Sequence, residues 1–167
     1  MDRRKPPARR ADFPWFRTLQ TRWMDNDLYG HVNNVLYYSY FDTLIAHFLM
    51  EEGGLDPWGG GVLDIAVETG CRFHRSFRFP EAIEAGLRVA RVGNSSVRWE
   101  IGLFHGGADA ASADGHFVHV FCDRATGRPI PIPDGIRAAI DRLLARQAER
   151  STPTGPSSRS NSSRTTR

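Results

Sequence analysis

The residue types able to do chemistry crowd into one run, Asp25-Asn26-Asp27-Leu28-Tyr29-Gly30-His31-Val32-Asn33-Asn34. It holds two carboxylates, an imidazole and side-chain amides, directly before a long apolar stretch. If that stretch is a helix, its first backbone N–H groups are unpaired and carry a partial positive charge. Such donors polarise a carbonyl and stabilise an oxyanion, while a neighbouring carboxylate attacks the carbonyl or takes a proton from water. In outline this is acyl-transfer chemistry. The same residues also suit a plain turn with an N-cap, Gly30 supplying the positive φ.

Positioning these groups falls to the flanking elements. Phe16 to Trp23 reads as a first strand. Val35 to Leu49 is apolar or aromatic on nearly every face, broken only by Ser39, Asp42, Thr43 and His47, which marks a buried helix. Asn33 or Asn34 can cap its start, and Gly53-Gly54 stops it soon after Glu52. Past a glycine-rich loop, Trp58 to Gly61, four runs have strand character: Val62 to Phe77, Ala82 to Val92, Ser96 to His105 and Ala113 to Asp123. The third alternates cleanly, with Val97, Trp99, Ile101 and Leu103 against Arg98, Glu100 and Gly102. The links at Gly93-Asn94 and Gly106-Gly107 suit antiparallel hairpins. Asp134, after Pro131 and Pro133, is a candidate N-cap for an amphipathic helix carrying Ile136, Ala139, Ile140, Leu143 and Leu144 on one stripe. This order is an α+β layout, in which one curved antiparallel sheet wraps around the buried helix. An edge strand of such a sheet commonly pairs with a second copy, so a homodimer at least is expected.

With 167 residues, 40% of them hydrophobic, the chain suits one globular domain, expected over residues 12 to 150. Before it lies a loose basic leader, residues 1 to 11. After it, residues 151 to 167 have no aromatic or aliphatic side chain to offset the entropy of ordering, and are expected to be disordered. The formal charge of +3 comes from these ends. Arg3, Arg4, Lys5, Arg9 and Arg10 outweigh Asp2, and Arg159, Arg164 and Arg167 have no acid beside them, which leaves the body acidic. Basic charge confined to loose ends argues against nucleic acid as the main partner. Leu44 to Met50 is too short to span a membrane and no secretory signal precedes it, so a cytoplasmic protein is expected. Cys71 and Cys122 lack C-x-x-C spacing and read as small buried hydrophobes. No metal site is expected: His116 and His119, three apart on a strand, point to opposite faces, and His74 and His105 have no partner at ligand spacing.

The segment TRWMDNDLYGHVNNVLYYSYFD resembles the signature of hotdog-fold acyl thioesterases, the 4-hydroxybenzoyl-CoA thioesterase-like group, in its R-W-x-D-x-D-x-x-G-H-V-N-N-x-x-Y form. It is similar also to the matching stretch of long-chain acyl-CoA and plant acyl-carrier-protein thioesterases. The match is specific over the segment, and the element order agrees over roughly residues 15 to 148. The resemblance implies a hotdog fold, dimers with a continuous sheet and active sites at their interface, pairs of such dimers, and hydrolysis of an acyl thioester with no cofactor. Asp27 matches the family's catalytic carboxylate, which either attacks the thioester carbonyl to form a mixed anhydride or activates water. The main-chain N–H of Asn34 falls where the family has its oxyanion donor. His31 and Asn33 match the H-V-N-N form, where they would shape the turn and orient Asp27 or water. The chain departs from relatives that place a catalytic histidine seven residues after the aspartate, since that position is Asn34. Asp25 reads as structural, and Tyr37, the tyrosine of N-N-x-x-Y, is the expected substrate-facing aromatic of a helix that is otherwise core.

Two looser candidates complete the site. Glu68 lies on a strand expected to pass near the helix start, and equally reads as a solvated edge charge. Arg91, Ser95 and Ser96 surround a hairpin in the region where the family tends to hold coenzyme A phosphates and pantetheine, and arginine pairs well with phosphate. Two other functions compete. A hotdog hydratase or dehydratase typically carries D-x-N-x-x-H, which is absent here. A non-catalytic protein would use its basic tails as a binding surface.

Overall fold

The computed structural model describes residues 5–151. Arg3, Arg4 and the Ser/Thr/Arg-rich stretch expected to be disordered lie outside the described residues. Five strands and two helices follow one another as β1 (Trp15–Gln20), α1 (Asn34–Glu51), β2 (Val62–Phe73), β3 (Ala82–Val92), β4 (Ser96–Phe104), β5 (Ala113–Asp123) and α2 (Asp134–Ser151). The strands form one antiparallel sheet in the order β1-β3-β4-β5-β2.

The inner face follows the alternation in the sequence. Val97, Trp99, Ile101 and Leu103 of β4 are all buried, as are Tyr37, Tyr40, Phe41, Leu44, Ile45, Phe48 and Leu49 of α1. Phe48 sets its ring edge-on to Trp99 at 5.6 Å, and Phe41 does the same to Phe117 at 6.4 Å. Each large side chain so buried contributes about 1.5–3 kcal/mol relative to exposure. The helix is not covered all round within one chain. Val35, Ser39, Asp42 and Thr43 form an open stripe, with Val35 64% exposed. The final helix starts at Asp134 itself and buries Ile136, Ala139, Ile140 and Leu143, while Leu144 stays partly exposed. It is pinned to β3 by Gln147, whose amide brackets the Val89 backbone by accepting from its N–H at 2.8 Å and donating to its carbonyl at 3.0 Å.

Three expectations are corrected. The first strand stops at Gln20, and Trp23 opens a short 3₁₀ turn, Trp23–Asp25. Strand β2 ends at Phe73 rather than Phe77, because His74 and Arg75 both give their N–H to the Ser112 carbonyl and the chain leaves the ladder. The inner part of the leader is tied to the sheet rather than loose. Ala111 N–H donates to the Ala8 carbonyl at 2.9 Å, Arg10 N–H donates to that of Asp109 at 2.7 Å, and the Arg10 guanidinium pairs with Glu84 over the rings of Phe16 and Phe104. Both cysteines are free; Cys122 is buried and Cys71 half-buried, where burial pushes its thiol up to about 12. Among the described residues no helix is long and apolar enough to cross a membrane.

His116 and His119 do lie on opposite faces. His116 meets Glu68 on the outside at 2.9 Å, whereas His119 is buried inside, with neither ring nitrogen hydrogen-bonded. Asp64 and Asp42 stand 3.7 and 3.9 Å from those nitrogens. Burial pushes the His119 pKa down from 6.5 to about 4. The unfolded chain therefore takes up this proton first on acidification. The resulting stability is full above pH 6.5 and is lost as pH falls toward 4, about 3 kcal/mol in all. Urea titrations at pH 7.5 and 4.5 should show most of that loss in the wild type and a smaller loss in His119→Leu.

Candidate active site

The site is built on the loop between β1 and α1, and Asp25 is its anchor. Its side chain is fully enclosed, with the residue 1% exposed. One carboxylate oxygen accepts from the Arg22 N–H at 2.7 Å and from the Tyr40 hydroxyl at 2.5 Å, and the other from Arg22 Nε at 2.9 Å. Burial works to raise the Asp25 pKa, but hydrogen bonds from Tyr40 and Arg22 outweigh it and hold the carboxyl below its ordinary value. The Asp25 carbonyl also accepts from Asn33 N–H at 2.9 Å. Asp25 thus joins both ends of the loop to the middle of α1, the structural role expected of it.

Between these ends the chain folds back on itself. Asp27 N–H donates to the His31 carbonyl at 2.8 Å and Gly30 N–H to that of Asp27 at 3.1 Å, with Gly30 at φ +76°. Asp27 Oδ1 accepts from Tyr29 N–H at 2.8 Å. Its other oxygen has no partner among the described residues, so the turn reading and the chemical reading each use a different oxygen of one carboxylate. A Cβ at Gly30 meets nothing within 4 Å, so Gly30→Ala tests backbone strain alone and should cost about 1 kcal/mol in a urea titration.

The loop delivers the chain to the start of α1. Asn33 is the cap: its Oδ1 accepts from Val35 N–H at 3.2 Å and its carbonyl from Leu36 N–H at 2.9 Å. The Asn34 N–H is left without a partner among the described residues. Asp27 and Asn34 line one cleft of about 290 Å³ together with Val32, Tyr37, Phe73 and Arg75. Tyr37 is buried; its hydroxyl accepts from Phe77 N–H at 3.2 Å, and its ring meets Phe73 edge-on at 5.0 Å. Burial raises its pKa, which keeps the hydroxyl protonated. Asp27, with one carboxylate oxygen unpartnered, and Asn34, with an unpaired N–H at the helix start, thus line one cleft of mixed polar and apolar wall, and groups of these two kinds are what acyl transfer uses.

Other expected site residues are not gathered here. The His31 ring is exposed and forms no hydrogen bond or ion pair among the described residues, although its backbone closes the turn. Glu68 points out of the other face of the sheet, pairing with Arg98 at 2.8 Å and His116 at 2.9 Å. Arg91, Ser95 and Ser96 belong to the β3–β4 hairpin, which is tied to the start of α2 through Ile132 N–H to the Asn94 carbonyl and Arg137 to the Gly93 carbonyl. The start of α2 packs on Gly53, beyond the C-terminal end of α1. The 18 residues of α1 therefore separate that hairpin from Asn34 by about 27 Å. In their place the structure supplies Phe73, Arg75 and Ser76, from the end of β2 and the loop after it. Pro80 and the crowding of Arg72, Arg75 and Arg78 were the available signs that the strand stops early.

A search of curated proteins finds no match. Among solved structures, the PA5185 protein of Pseudomonas aeruginosa is 48% identical, with a TM-score of 0.81 over 83% of this chain and 96% of that one. The PA2801 protein of the same organism, described as a candidate thioesterase, is 30% identical, with a TM-score of 0.70 over 77% and 98%. A gentisyl-coenzyme A thioesterase, BH1999, shares the fold at 22% identity, with a TM-score of 0.67 over 75% and 99%. These likenesses and the sheet order above make the fold a hotdog. A profile of the thioesterase-like superfamily matches residues 21–140, a span that takes in the Asp25–Asn34 loop, α1 and all but the first strand, and the chain belongs to that superfamily.

Proposed function

We propose that this protein hydrolyses an acyl-CoA thioester to a carboxylic acid and free coenzyme A, with Asp27 and the Asn34 N–H as its chemical groups. Thioester hydrolysis follows from the family. The observation that carries the assignment is the pairing, in one cleft, of an unpartnered Asp27 oxygen with an unpartnered N–H at the start of α1. The thioester carbonyl oxygen accepts from Asn34 N–H, where the helix dipole favours developing negative charge. Asp27 then either attacks the carbonyl carbon, expelling the thiolate and leaving an anhydride that water cleaves, or takes a proton from the attacking water. Tyr37, Val32 and Phe73 supply apolar wall for the acyl group. The reaction balances with water alone and calls for no redox or metal group. Asn33 acts by capping and His31 by its backbone in the turn.

Coenzyme A as carrier is supported by the name of the gentisyl-coenzyme A thioesterase, with acyl carrier protein the alternative. A second copy is the proposed partner, as a homodimer or a pair of dimers. Ile65 and Val67 of edge strand β2 and Val35 of α1 are exposed and apolar, and pairing two β2 edges would cover them. One domain over residues 12 to 150, a cytoplasmic setting and no nucleic acid or membrane partner complete the reading. Thiol release from acyl-CoAs, run beside hydration of an enoyl-CoA, tests it. Thiol release without hydration is expected, and hydration without thiol release would make the protein a hydratase.

A further inference from the structure

A second cavity, at about 510 Å³ larger than the Asp27 cleft, stands apart from it. It lies on the outer face of the sheet, under the leader segment expected to be loose. Its floor comes from outward side chains of β2 to β5, and its roof is the stretch Lys5–Arg9. The roof is fastened by Asp114, whose side chain is only 6% exposed. That carboxylate accepts from Ala8 N–H at 3.0 Å, Arg72 Nε at 2.8 Å and His74 Nε2 at 3.0 Å, and Arg72 Nη1 reaches the Lys5 carbonyl at 3.2 Å. Fixing the backbone in this way holds the side chains of Lys5 and Arg9 at the cavity.

The cavity carries unbalanced positive charge. Five basic residues line it against three carboxylates, and two of those carboxylates, Asp114 and Glu100, are held in ion pairs. Asp114 holds Arg72 and the roof, Glu100 pairs with Arg88 at 2.5 Å, and Asp12 accepts from Arg9 N–H at 2.9 Å. Lys5 and Arg9 form no ion pair among the described residues. Arg98 shares its charge with Glu68, which is itself largely exposed and outside the cavity lining. Pro6 and Pro7 of the roof add apolar surface. A cavity of this size with spare cations and two proline rings in its roof suits a small molecule that combines phosphates with a ring.

Its position relative to Asp27 matters as much as its charge. Phe73 lines the Asp27 cleft on the inner side of β2, and the neighbouring Arg72 lines the outer cavity. His74 lies between, lining the cleft while its ring donates from Nε2 to Asp114 on the outside. The sheet ends there, so a flexible arm can pass around the C-terminal end of β2. A pantetheine arm has thirteen bonds from sulfur to phosphorus and spans about 15 Å when extended, at the ~3.5 Å per three bonds of an extended chain. That is too long to end inside the Asp27 cleft. It is enough to round one sheet, whose layer spacing is about 10 Å. The β3–β4 hairpin of the same chain, about 27 Å away along α1, lies beyond that span.

We propose that this outer cavity binds the adenosine 3′,5′-bisphosphate end of coenzyme A, with Lys5, Arg9 and Arg98 as partners of its phosphates. The assignment rests on the thioesterase reading and adds the carrier's own site to it. The test measures calorimetric binding of adenosine 3′,5′-bisphosphate, which has no thioester, to the full chain and to Lys5→Glu/Arg9→Glu. Lys5→Gln/Arg9→Gln serves as a milder second variant. Binding by the wild type that weakens with salt, and at least tenfold in the charge-reversed variant, is expected. In parallel, KM for an acyl-CoA should rise about tenfold in that variant, while KM for the matching acyl-pantetheine, which lacks the nucleotide, should move less than twofold. Absent or equal bisphosphate binding in wild type and variants overturns the site even if acyl-CoA is hydrolysed. Binding as expected with no thioester hydrolysed overturns the thioesterase reading and leaves a nucleotide-phosphate site.

Discussion

Replacing Asp25 with alanine is expected to destabilise the protein by about 3–4 kcal/mol, among the largest single effects in the molecule. The reason is what the change strands. The Tyr40 hydroxyl, the Arg22 N–H and the Arg22 guanidinium all lose an acceptor, two of them in an enclosed site, and the loop loses its tie to α1. Leaving buried donors unpaired costs more than the net value of the bonds themselves. The effect depends on pH with a defined sign. The Asp25 carboxyl is held below its ordinary 3.8, so its contribution is complete above that value and is lost only as pH falls through the lowered pKa. Urea titrations of wild type and Asp25→Ala should therefore differ fully at pH 7 and converge in strong acid. A difference below about 1 kcal/mol at pH 7 would contradict the anchoring role.

For Asp27 the expectation is reversed: little stability is lost and most of the chemistry goes. Asparagine keeps an oxygen that can accept from Tyr29 N–H, so Asp27→Asn should preserve the turn and change stability by no more than about 0.5 kcal/mol. It removes the anionic oxygen that, in the proposed mechanism, attacks the carbonyl or accepts a proton from water. Loss of such a group costs on the order of 10³-fold or more in kcat, about 4 kcal/mol of barrier. Asp27→Ala should lose both the turn bond and the chemistry. Comparing the two variants separates the capping oxygen from the reacting one.

The sequence carried the fold because burial here obeys simple periods. Val97, Trp99, Ile101 and Leu103 face inward as alternation demands, and the apolar run from Val35 to Leu49 lies within α1. That Asp27 and Asn34 lie close enough to line one cleft was legible too, being local to one loop and one cap. What failed was decided by contacts distant in sequence. Glu68 had two readings, near the helix start or a solvated edge charge, and a bulge between Ala66 and Glu68 decides its face: one added residue pairs Glu68 with Val118 and turns it outward. Asp25 was read as structural, yet its partner Tyr40 sits fifteen residues on and could not be named. The end of β2 depends on Ser112, which draws His74 and Arg75 out of the ladder and brings Arg75 to the cleft. The leader looked loose from its composition, whereas Asp114, a hundred and six residues from Ala8, holds it down.

The most direct test is the initial rate of free-thiol release from a panel of acyl-CoAs, short, long, branched and aromatic, by wild type and Asp27→Asn at equal concentration. Wild type is expected to cleave at least one of them with saturable kinetics, and Asp27→Asn, folded by circular dichroism, to cleave it on the order of 10³-fold more slowly. Equal rates for the two folded proteins would contradict the assignment of Asp27 and, with it, the proposed mechanism.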